Sequence, residues 1–114
     1  MPKTSDTYHH GDLKTAMIKA ALDLVREKGP RGFTLNEASR VAGVSKSAPY
    51  RHFRDKDALL AEIALIGTRL LESELRAASS RRGTPREKLL SALLGYIEFA
   101  QNHPDYFAVM FQSG

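Results

Sequence analysis

The sequence predicts an all-α fold. Apolar residues recur at intervals of three and four along most of the 114 residues, which is the spacing of one buried helix face. No segment shows the sustained alternation of apolar and polar residues that is typical of a strand. Two breaker pairs, Gly29-Pro30 and His103-Pro104, interrupt the helical pattern. We therefore expect helices joined by short turns.

Capping residues and breakers define six helical segments. Thr34 followed by Glu37, and Thr84 followed by Glu87, have the spacing of capping boxes. Pro49 falls within or just past the first turn of the third segment, where a proline costs less than in a helix interior. The expected segments cover about residues 12–28, 34–41, 46–53, 55–78, 84–102 and 105–111.

The apolar residues of the second and fifth segments predict different surroundings. Leu35, Ala38 and Val41 should face inward from the second segment. In the fifth segment, apolar side chains cover most of the circumference, which indicates a helix packed between neighbours. Because few other elements are available to cover it, we expect self-association, with burial of this helix against a second chain.

Composition restricts the class of protein. The chain has no cysteine, which excludes a disulfide framework and a thiolate zinc site. No window approaches eighteen uninterrupted apolar residues, and the first residues lack the apolar stretch of a signal peptide. We therefore expect a cytoplasmic protein.

The charge is distributed unevenly along the chain. Residues 1–56 carry eleven Lys and Arg against six Asp and Glu, whereas residues 57–114 carry six against seven. This asymmetry favours an anionic partner for the first half. Nucleic acid is a better candidate than a membrane, because no basic amphipathic helix with bulky apolar anchors accompanies the charge.

Two short segments joined by a glycine turn, 34–41 and 46–53, have the size and spacing of a helix-turn-helix. A plain helical hairpin has the same spacing. The residue types favour DNA recognition, since a recognition helix presents small polar groups to bases and hydroxyls or cations to phosphates. Such groups are concentrated within eight positions, at Ser45, Lys46, Ser47, Tyr50, Arg51 and His52.

Four runs of residues have the composition and spacing of a known family. They are Phe33-Thr34-Leu35, Ala42-Gly43-Val44-Ser45-Lys46, Tyr50-Arg51-His52-Phe53 and Lys56-Asp57-Ala58-Leu59-Leu60. Together they resemble the DNA-binding region of TetR-type transcriptional regulators, over about residues 8–65. The run 103–107, with Met110 and Phe111, is similar to the start of the ligand domain in one subclass of that family.

The resemblance implies roles for individual residues. Positions that touch bases or the groove floor correspond to Asn36, Lys46, Ser47 and Tyr50. Positions that touch phosphates correspond to Thr34, Ser45, Tyr50, His52 and Lys56. Phe53 matches a core position, and Arg51 a variable one that we include among the DNA-binding candidates. Pro49 replaces the apolar residue of many members, which leaves the reach of Ser47 and Tyr50 open. Lys3, His9 and His10 are candidates for further phosphate contacts.

The resemblance also implies an organisation and a mode of action. Residues 1–56, with an arm at 1–10, would form a three-helix helix-turn-helix domain, and a long fourth helix would join it to a helical effector and dimerisation region at 57–114. Family members continue well past position 114, so this C-terminal region is either truncated or unusually short. The implied regulator is a homodimer on a palindromic operator and a repressor released by a small-molecule effector. Candidate effector contacts are Leu70, Ile97, Phe107 and Met110, whose alternative role is core packing.

Other functions find less support in the residues. His9, His10 and Asp12 have a metal-like composition, but adjacent residues point apart on a helix and no further ligand cluster follows, so we expect no metal or cofactor. No Ser, His and acid constellation is evident, so we expect no enzyme. The remaining alternative is a helical protein-interaction module that docks through the fifth segment without specific DNA binding.

Overall fold

The computed structural model describes residues 9–79 and 82–112, with side chains from Asp12 onwards. Within these ranges the secondary structure consists of five α-helices and one 3-10 turn, without strands. The helices are α1 (His9–Lys28), α2 (Leu35–Ala42), α3 (Lys56–Ser79), α4 (Pro85–Asn102) and α5 (Pro104–Phe111), and the 3-10 turn (Ala48–Arg51) lies between α2 and α3. The predicted all-α fold is confirmed.

The chain divides into two compact units, and the boundary falls within α3. The first unit, Met1–Glu62, contains α1, α2, the 3-10 turn and the start of α3. The second unit, Ile63–Gly114, contains the rest of α3 together with α4 and α5.

The capping boxes predicted from the sequence form the starts of α2 and α4. Thr34 Oγ1 accepts a hydrogen bond from the backbone N–H of Glu37 at 3.1 Å, and Glu37 Oε1 accepts one from the N–H of Thr34 at 3.0 Å. Thr84 and Glu87 make the same pair of bonds at 3.1 and 2.9 Å. Because these side chains satisfy backbone groups that a helix start leaves unpaired, both helices begin one residue after the capping threonine.

The core of the first unit is formed by α1 and the elements packed against it. α1 contacts both α2 and the 3-10 turn. Phe33 and Phe53, which flank the helix-turn-helix segment, are each only 3% exposed. Phe53 therefore has the core position that the family resemblance implies. The buried apolar residues of α1 are Leu13, Met17, Ala20, Ala21, Leu22, Leu24 and Val25.

Val41 was expected to face inward from α2, and this prediction is wrong. Its side chain is 53% exposed, whereas Ser39 is buried and donates its hydroxyl hydrogen to the carbonyl of Leu35 at 3.1 Å. The buried residues Leu35, Ala38 and Ser39 form one stripe along the helix. Val41 lies about 110° round the helix axis from the centre of this stripe. Ser39, a short polar residue that forms a hydrogen bond within its own helix, therefore faces inward in place of Val41.

The third predicted segment is a 3-10 turn of four residues rather than an α-helix over 46–53. Pro49 has no backbone N–H and cannot donate to the carbonyl of Ser45 as an α-helix requires. Bonds that span three residues replace the helical ones, from the N–H of Ala48 to Ser45 O at 3.2 Å and from that of His52 to Pro49 O at 2.9 Å. Pro49 is also among the most deeply buried side chains, which fixes the turn against the core.

In the second unit, α3 and α5 approach each other closely at Gly67. A Cβ atom at this position would lie 2.7 Å from Met110 Sδ and 3.2 Å from Tyr106 Cβ. At the corner between α4 and α5, the backbone N–H of His103 donates to Phe99 O at 2.8 Å. Phe99 is fully buried and anchors this corner.

α4 was expected to be packed between neighbours, and the described residues of this one chain cover only part of its surface. One face is exposed over most of its length, because no element of residues 9–79 or 82–112 covers it. The apolar side chains that are at least half exposed on α4 are Leu89, Leu90, Leu93, Leu94 and Ile97.

Candidate nucleic-acid interface

The turn that separates α2 from the 3-10 turn depends on Gly43. Its φ angle is 76°, a left-handed conformation that strains any residue with a Cβ atom. The N–H of Gly43 donates to Arg40 O at 3.1 Å, and that of Val44 donates to Ser39 O at 3.0 Å. These bonds satisfy the last carbonyls of α2. The chain therefore leaves α2 abruptly and enters the 3-10 turn after only a few residues.

Polar side chains of the segment 45–52 are exposed, although the segment itself is anchored in the core. Pro49 and Phe53 provide the anchors, since both are buried. Tyr50, between them, is 57% exposed. The structure leaves all six residues of the predicted polar cluster accessible to a ligand, namely Ser45, Lys46, Ser47, Tyr50, Arg51 and His52.

Two hydroxyl groups predicted to contact phosphates also cap local structure. Thr34 Oγ1 accepts from the N–H of Glu37, and Ser45 Oγ accepts from the N–H of Ala48 at 3.2 Å. Since each oxygen acts as an acceptor, its hydroxyl hydrogen can still be donated to a phosphate oxygen. Asn36, a predicted base contact, lies in the first turn of α2 and is exposed.

Glu37 links the end of α1 to the start of α2. The ammonium of Lys28 donates to Glu37 Oε2 at 2.6 Å, while Glu37 Oε1 holds the backbone of Thr34. The pKa of Glu37 lies below its ordinary value of 4.5, first because of the hydrogen bond from Lys28 and then because of the bond from Thr34. The carboxylate is thereby held in its charged form beside the DNA-binding candidates of α2.

The ammonium of Lys56 has partners within the first unit. Nζ donates to the carbonyl of Phe33 at 2.6 Å and lies 4.3 Å from the centroid of the Phe33 ring. Partial burial is the main cause that lowers the pKa of Lys56 below its ordinary value of 10.5. Sequence reasoning missed this contact, since nothing in the local pattern links residues 23 positions apart.

Three candidates share a cleft with the start of α1. The cleft has a volume of about 520 Å³ and is lined by Leu13, Gly43, Val44, Ser45, Ala48, Arg51 and His52. The ring of His52 also lies against that of Phe53, with centroids 6.2 Å apart. The sequence did not predict that Leu13 lines this cleft, because its place in the apolar pattern of α1 indicates only core packing.

The effector candidates all belong to the second unit but differ in their surroundings. Ile97 is half exposed, whereas Leu70, Phe107 and Met110 are half-buried. Met110 packs at Gly67, and the ring of Phe107 lies against that of Phe111 with centroids 4.7 Å apart. A separate groove of about 550 Å³ is lined by other residues, namely Thr68, Leu71, Glu72, Leu75, Arg76, Ser79 and Ala92.

The proposed phosphate contacts of the arm are not described by the structure. Lys3 lies outside the described residues, and so do the side chains of His9 and His10. Elsewhere in the described part of the chain, no three His, Asp or Glu residues are grouped closely enough to hold a metal ion. Among the helices described, none has both the length and the apolar character needed to cross a bilayer.

Residues 17–63, which include the helix-turn-helix, match the sequence profile of the bacterial regulatory proteins of the tetR family. The chain is 36% identical over 83 residues to the HTH-type transcriptional regulator BetI of Rhizobium meliloti (strain 1021), a match that covers 71% of this chain and 39% of BetI. It is 27% identical over 92 residues to the uncharacterized HTH-type transcriptional regulator YobS of Bacillus subtilis (strain 168), a match that covers 80% of this chain and 47% of YobS. The chain thus spans less than half the length of these curated relatives.

Solved structures show the same architecture. The TetR family transcriptional regulator PfmR from Thermus thermophilus superposes with a TM-score of 0.71 at 26% identity, over 84% of this chain and 52% of PfmR. A protein with unknown function from Rhodococcus sp. RHA1 superposes with a TM-score of 0.74 at 34% identity, over 91% of this chain and 54% of that protein. The matching profile and these relatives identify the helix-turn-helix region, residues 17–63, as the DNA-binding domain of a TetR-family transcriptional regulator.

Proposed function

We propose that the chain recognises a palindromic operator in double-stranded DNA as a homodimer and represses transcription until a small-molecule effector releases it. Residues 1–56 then act as the DNA-binding domain, and residues 57–114 contribute to effector binding and dimerisation. The observation that carries this proposal is the exposed polar cluster at 45–52, held by the buried anchors Pro49 and Phe53.

The chemistry of the exposed residues supports a division between base and phosphate contacts. Amide, hydroxyl and ammonium groups can bond base edges in the major groove, and we assign this role to Asn36, Lys46, Ser47 and Tyr50. Hydroxyl, imidazole and ammonium groups can bond phosphate oxygens, and we assign this role to Thr34, Ser45, His52 and Lys56. Tyr50 can reach either bases or phosphates, and Arg51 remains a further candidate for DNA contact. Phosphate contacts fix the position of the protein along the duplex, so that base contacts can specify the DNA sequence.

An apolar stripe on α4 supports the homodimer. Leu90, Leu93, Leu94 and Ile97 recur at intervals of three and four and are each at least half exposed. A second copy packed against this stripe would remove the apolar surface from water. Helix-turn-helix dimers read two half-sites about 34–36 Å apart, so pairing of two chains also explains recognition of a palindrome.

The second unit supports the effector part of the proposal. The candidates Leu70, Ile97, Phe107 and Met110 belong to this unit, and so does the groove lined by Leu71 and Leu75. Its volume of about 550 Å³ lies within the usual range for small-molecule sites. An effector releases DNA only if it binds the free conformation more tightly than the DNA-bound one.

Selection from a random duplex library, with the purified chain and at two salt concentrations, tests the proposal. Enrichment of a palindrome is the expected result, and the distance between its halves reports the geometry of the dimer. Enrichment of a single half-site would retain DNA recognition but contradict the homodimer. Salt-sensitive retention without any enriched sequence would contradict specific recognition and favour a protein-interaction module that uses the α4 stripe.

A further inference from the structure

The ion pair between Lys28 and Glu37 joins the end of α1 to the start of α2. Lys28 is the last residue of α1, and Glu37 lies in the first turn of α2. The ammonium lies 2.6 Å from Glu37 Oε2, across the Gly29-Pro30 break that follows α1. The pair therefore spans the connection between the two helices.

Glu37 uses its two carboxylate oxygens for different partners. Oε2 accepts from Lys28, whereas Oε1 accepts from the backbone N–H of Thr34 at 3.0 Å. Thr34 Oγ1 accepts from the backbone N–H of Glu37 in return. Lys28 thus acts on the N-cap of α2 through one side chain. Thr34 and Asn36, both DNA-binding candidates, belong to this turn.

Two physical effects make this ion pair more than a surface contact. An isolated exposed pair contributes little, partly because two long side chains lose conformational freedom. Here the bond to Thr34 already fixes the carboxylate, so that mainly Lys28 has to be ordered. Without Lys28, the charge of Glu37 would also lie uncompensated beside the phosphates that Thr34 is expected to contact, and like charges repel.

We propose that Lys28 and Glu37 are positioning residues for DNA recognition, whose ion pair fixes the start of α2 on the end of α1 in the orientation that Thr34 and Asn36 need, and neutralises a carboxylate that would otherwise repel the duplex. This inference rests on the proposed function. Neither Lys28 nor Glu37 is among the DNA-binding candidates.

Operator affinity of matched lysine variants tests the inference. Lys28→Met keeps an apolar stem but removes the ammonium, so affinity for the selected operator should fall by about three- to tenfold. Lys28→Arg retains a donor for Glu37 and should restore most of that affinity. Lys14→Met is the control, since Lys14 also lies on α1, is similarly exposed (44% against 43%) and pairs with Glu62 of α3 at 3.5 Å. It has the same charge change but leaves the start of α2 intact, so it should reduce affinity less.

A double-variant cycle separates an action through Glu37 from a phosphate contact made by Lys28 itself. Glu37→Gln removes the negative charge, while glutamine can still complete the capping box. In this background Lys28→Met should weaken operator binding no more than Lys14→Met does, because the partner charge is already absent. An equal loss in both backgrounds would assign the ammonium a direct DNA contact and overturn the inference. Thermal melts establish that binding is compared between folded proteins.

Amide hydrogen exchange tests the link between α1 and α2 without DNA. The backbone N–H groups of Thr34 and Glu37 should exchange faster in Lys28→Met than in the wild type or in Lys14→Met. Unchanged exchange at both positions, unchanged operator affinity of Lys28→Met, or an equal loss of affinity in Lys14→Met would each overturn the inference. If the wild type selects no operator, the proposed function fails and the role in DNA recognition fails with it, whereas the exchange data still decide whether Lys28 holds the start of α2.

Discussion

Tyr50 combines a large exposed surface with a hydroxyl group, in a turn that the buried residues Pro49 and Phe53 anchor. Because its side chain is 57% exposed, truncation should change the free energy of unfolding by no more than about 0.5 kcal/mol. If the ring and hydroxyl contact DNA, Tyr50→Ala should weaken operator binding by about 1–3 kcal/mol. Tyr50→Phe, which removes only the hydroxyl, should retain part of that affinity. Equal operator affinity of wild type and Tyr50→Ala in a fluorescence titration would remove Tyr50 from the interface.

The ionisation of Glu37 makes the first unit sensitive to acid. Its pKa in the folded protein lies below the ordinary value of 4.5, mainly because Lys28 donates a hydrogen bond to the carboxylate. A carboxyl group with a lowered pKa stabilises the fold above its ordinary pKa, and this contribution is lost as the pH falls through the lowered value. We expect the melting temperature of the wild type to fall more steeply below about pH 4.5 than that of Glu37→Gln, whose amide does not ionise.

Circular dichroism melts between about pH 3 and about pH 6 measure this difference. Glu87→Gln is a matched control, since Glu87 completes the second capping box and no lysine among residues 9–79 and 82–112 bonds to it. The pH dependence of that variant should resemble that of the wild type more closely. Identical curves for wild type and Glu37→Gln would contradict the role assigned to the Lys28 bond.

At the level of elements, the two capping boxes form a natural pair of test and control. Thr34 and Thr84 accept from the N–H three residues ahead at the same distance, 3.1 Å. Thr34→Ala and Thr84→Ala should therefore each cost about 1 kcal/mol of stability, as loss of an N-cap usually does. Only Thr34→Ala should also weaken operator binding. Chemical denaturation and operator titration measure the two effects, and equal loss of DNA affinity in both variants would contradict a contact from Thr34.

Signals local in sequence were sufficient to predict most element boundaries. Both capping threonines, the breaker at Gly29 and the turn at Gly43 act through residues no more than about four positions away. The third segment was predicted incorrectly because polar composition and spacing indicated a helix, while the missing N–H of Pro49 and the burial of its ring decided the geometry. Val41 was placed wrongly because a helix of eight residues gives few positions from which to determine the centre of its buried face.

The candidate site could be predicted as a set of residues but not as a set of contacts. Exposed polar groups in the segment 45–52 are a property of composition, and the structure leaves them accessible. The bond from Lys56 to Phe33 and the place of Leu13 in the cleft depend on how distant segments pack. Such contacts join residues that are distant in sequence, so no local sequence pattern predicts them.

For the whole molecule, the exposed stripe on α4 leads to a prediction about association. Leu90, Leu93, Leu94 and Ile97 present a continuous apolar surface, which soluble monomers seldom expose over such a length. We expect the chain to sediment as a dimer at about 10–100 µM, because burying the exposed half of each leucine against a second copy is worth about 1 kcal/mol before the entropic cost of association. Leu93→Glu would place a charge in that contact and should shift the equilibrium to monomer.

Leu65→Glu is the matched control for this charge, since Leu65 is 44% exposed on α3 and lies outside the stripe. It should leave the sedimenting mass unchanged. Because the polar cluster and the stripe belong to different units, Leu93→Glu should retain affinity for a single half-site while it loses the preference for a palindrome. A monomeric wild type in this concentration range would contradict pairing through α4. Loss of half-site binding in Leu93→Glu would contradict the assignment of DNA recognition to the first unit alone.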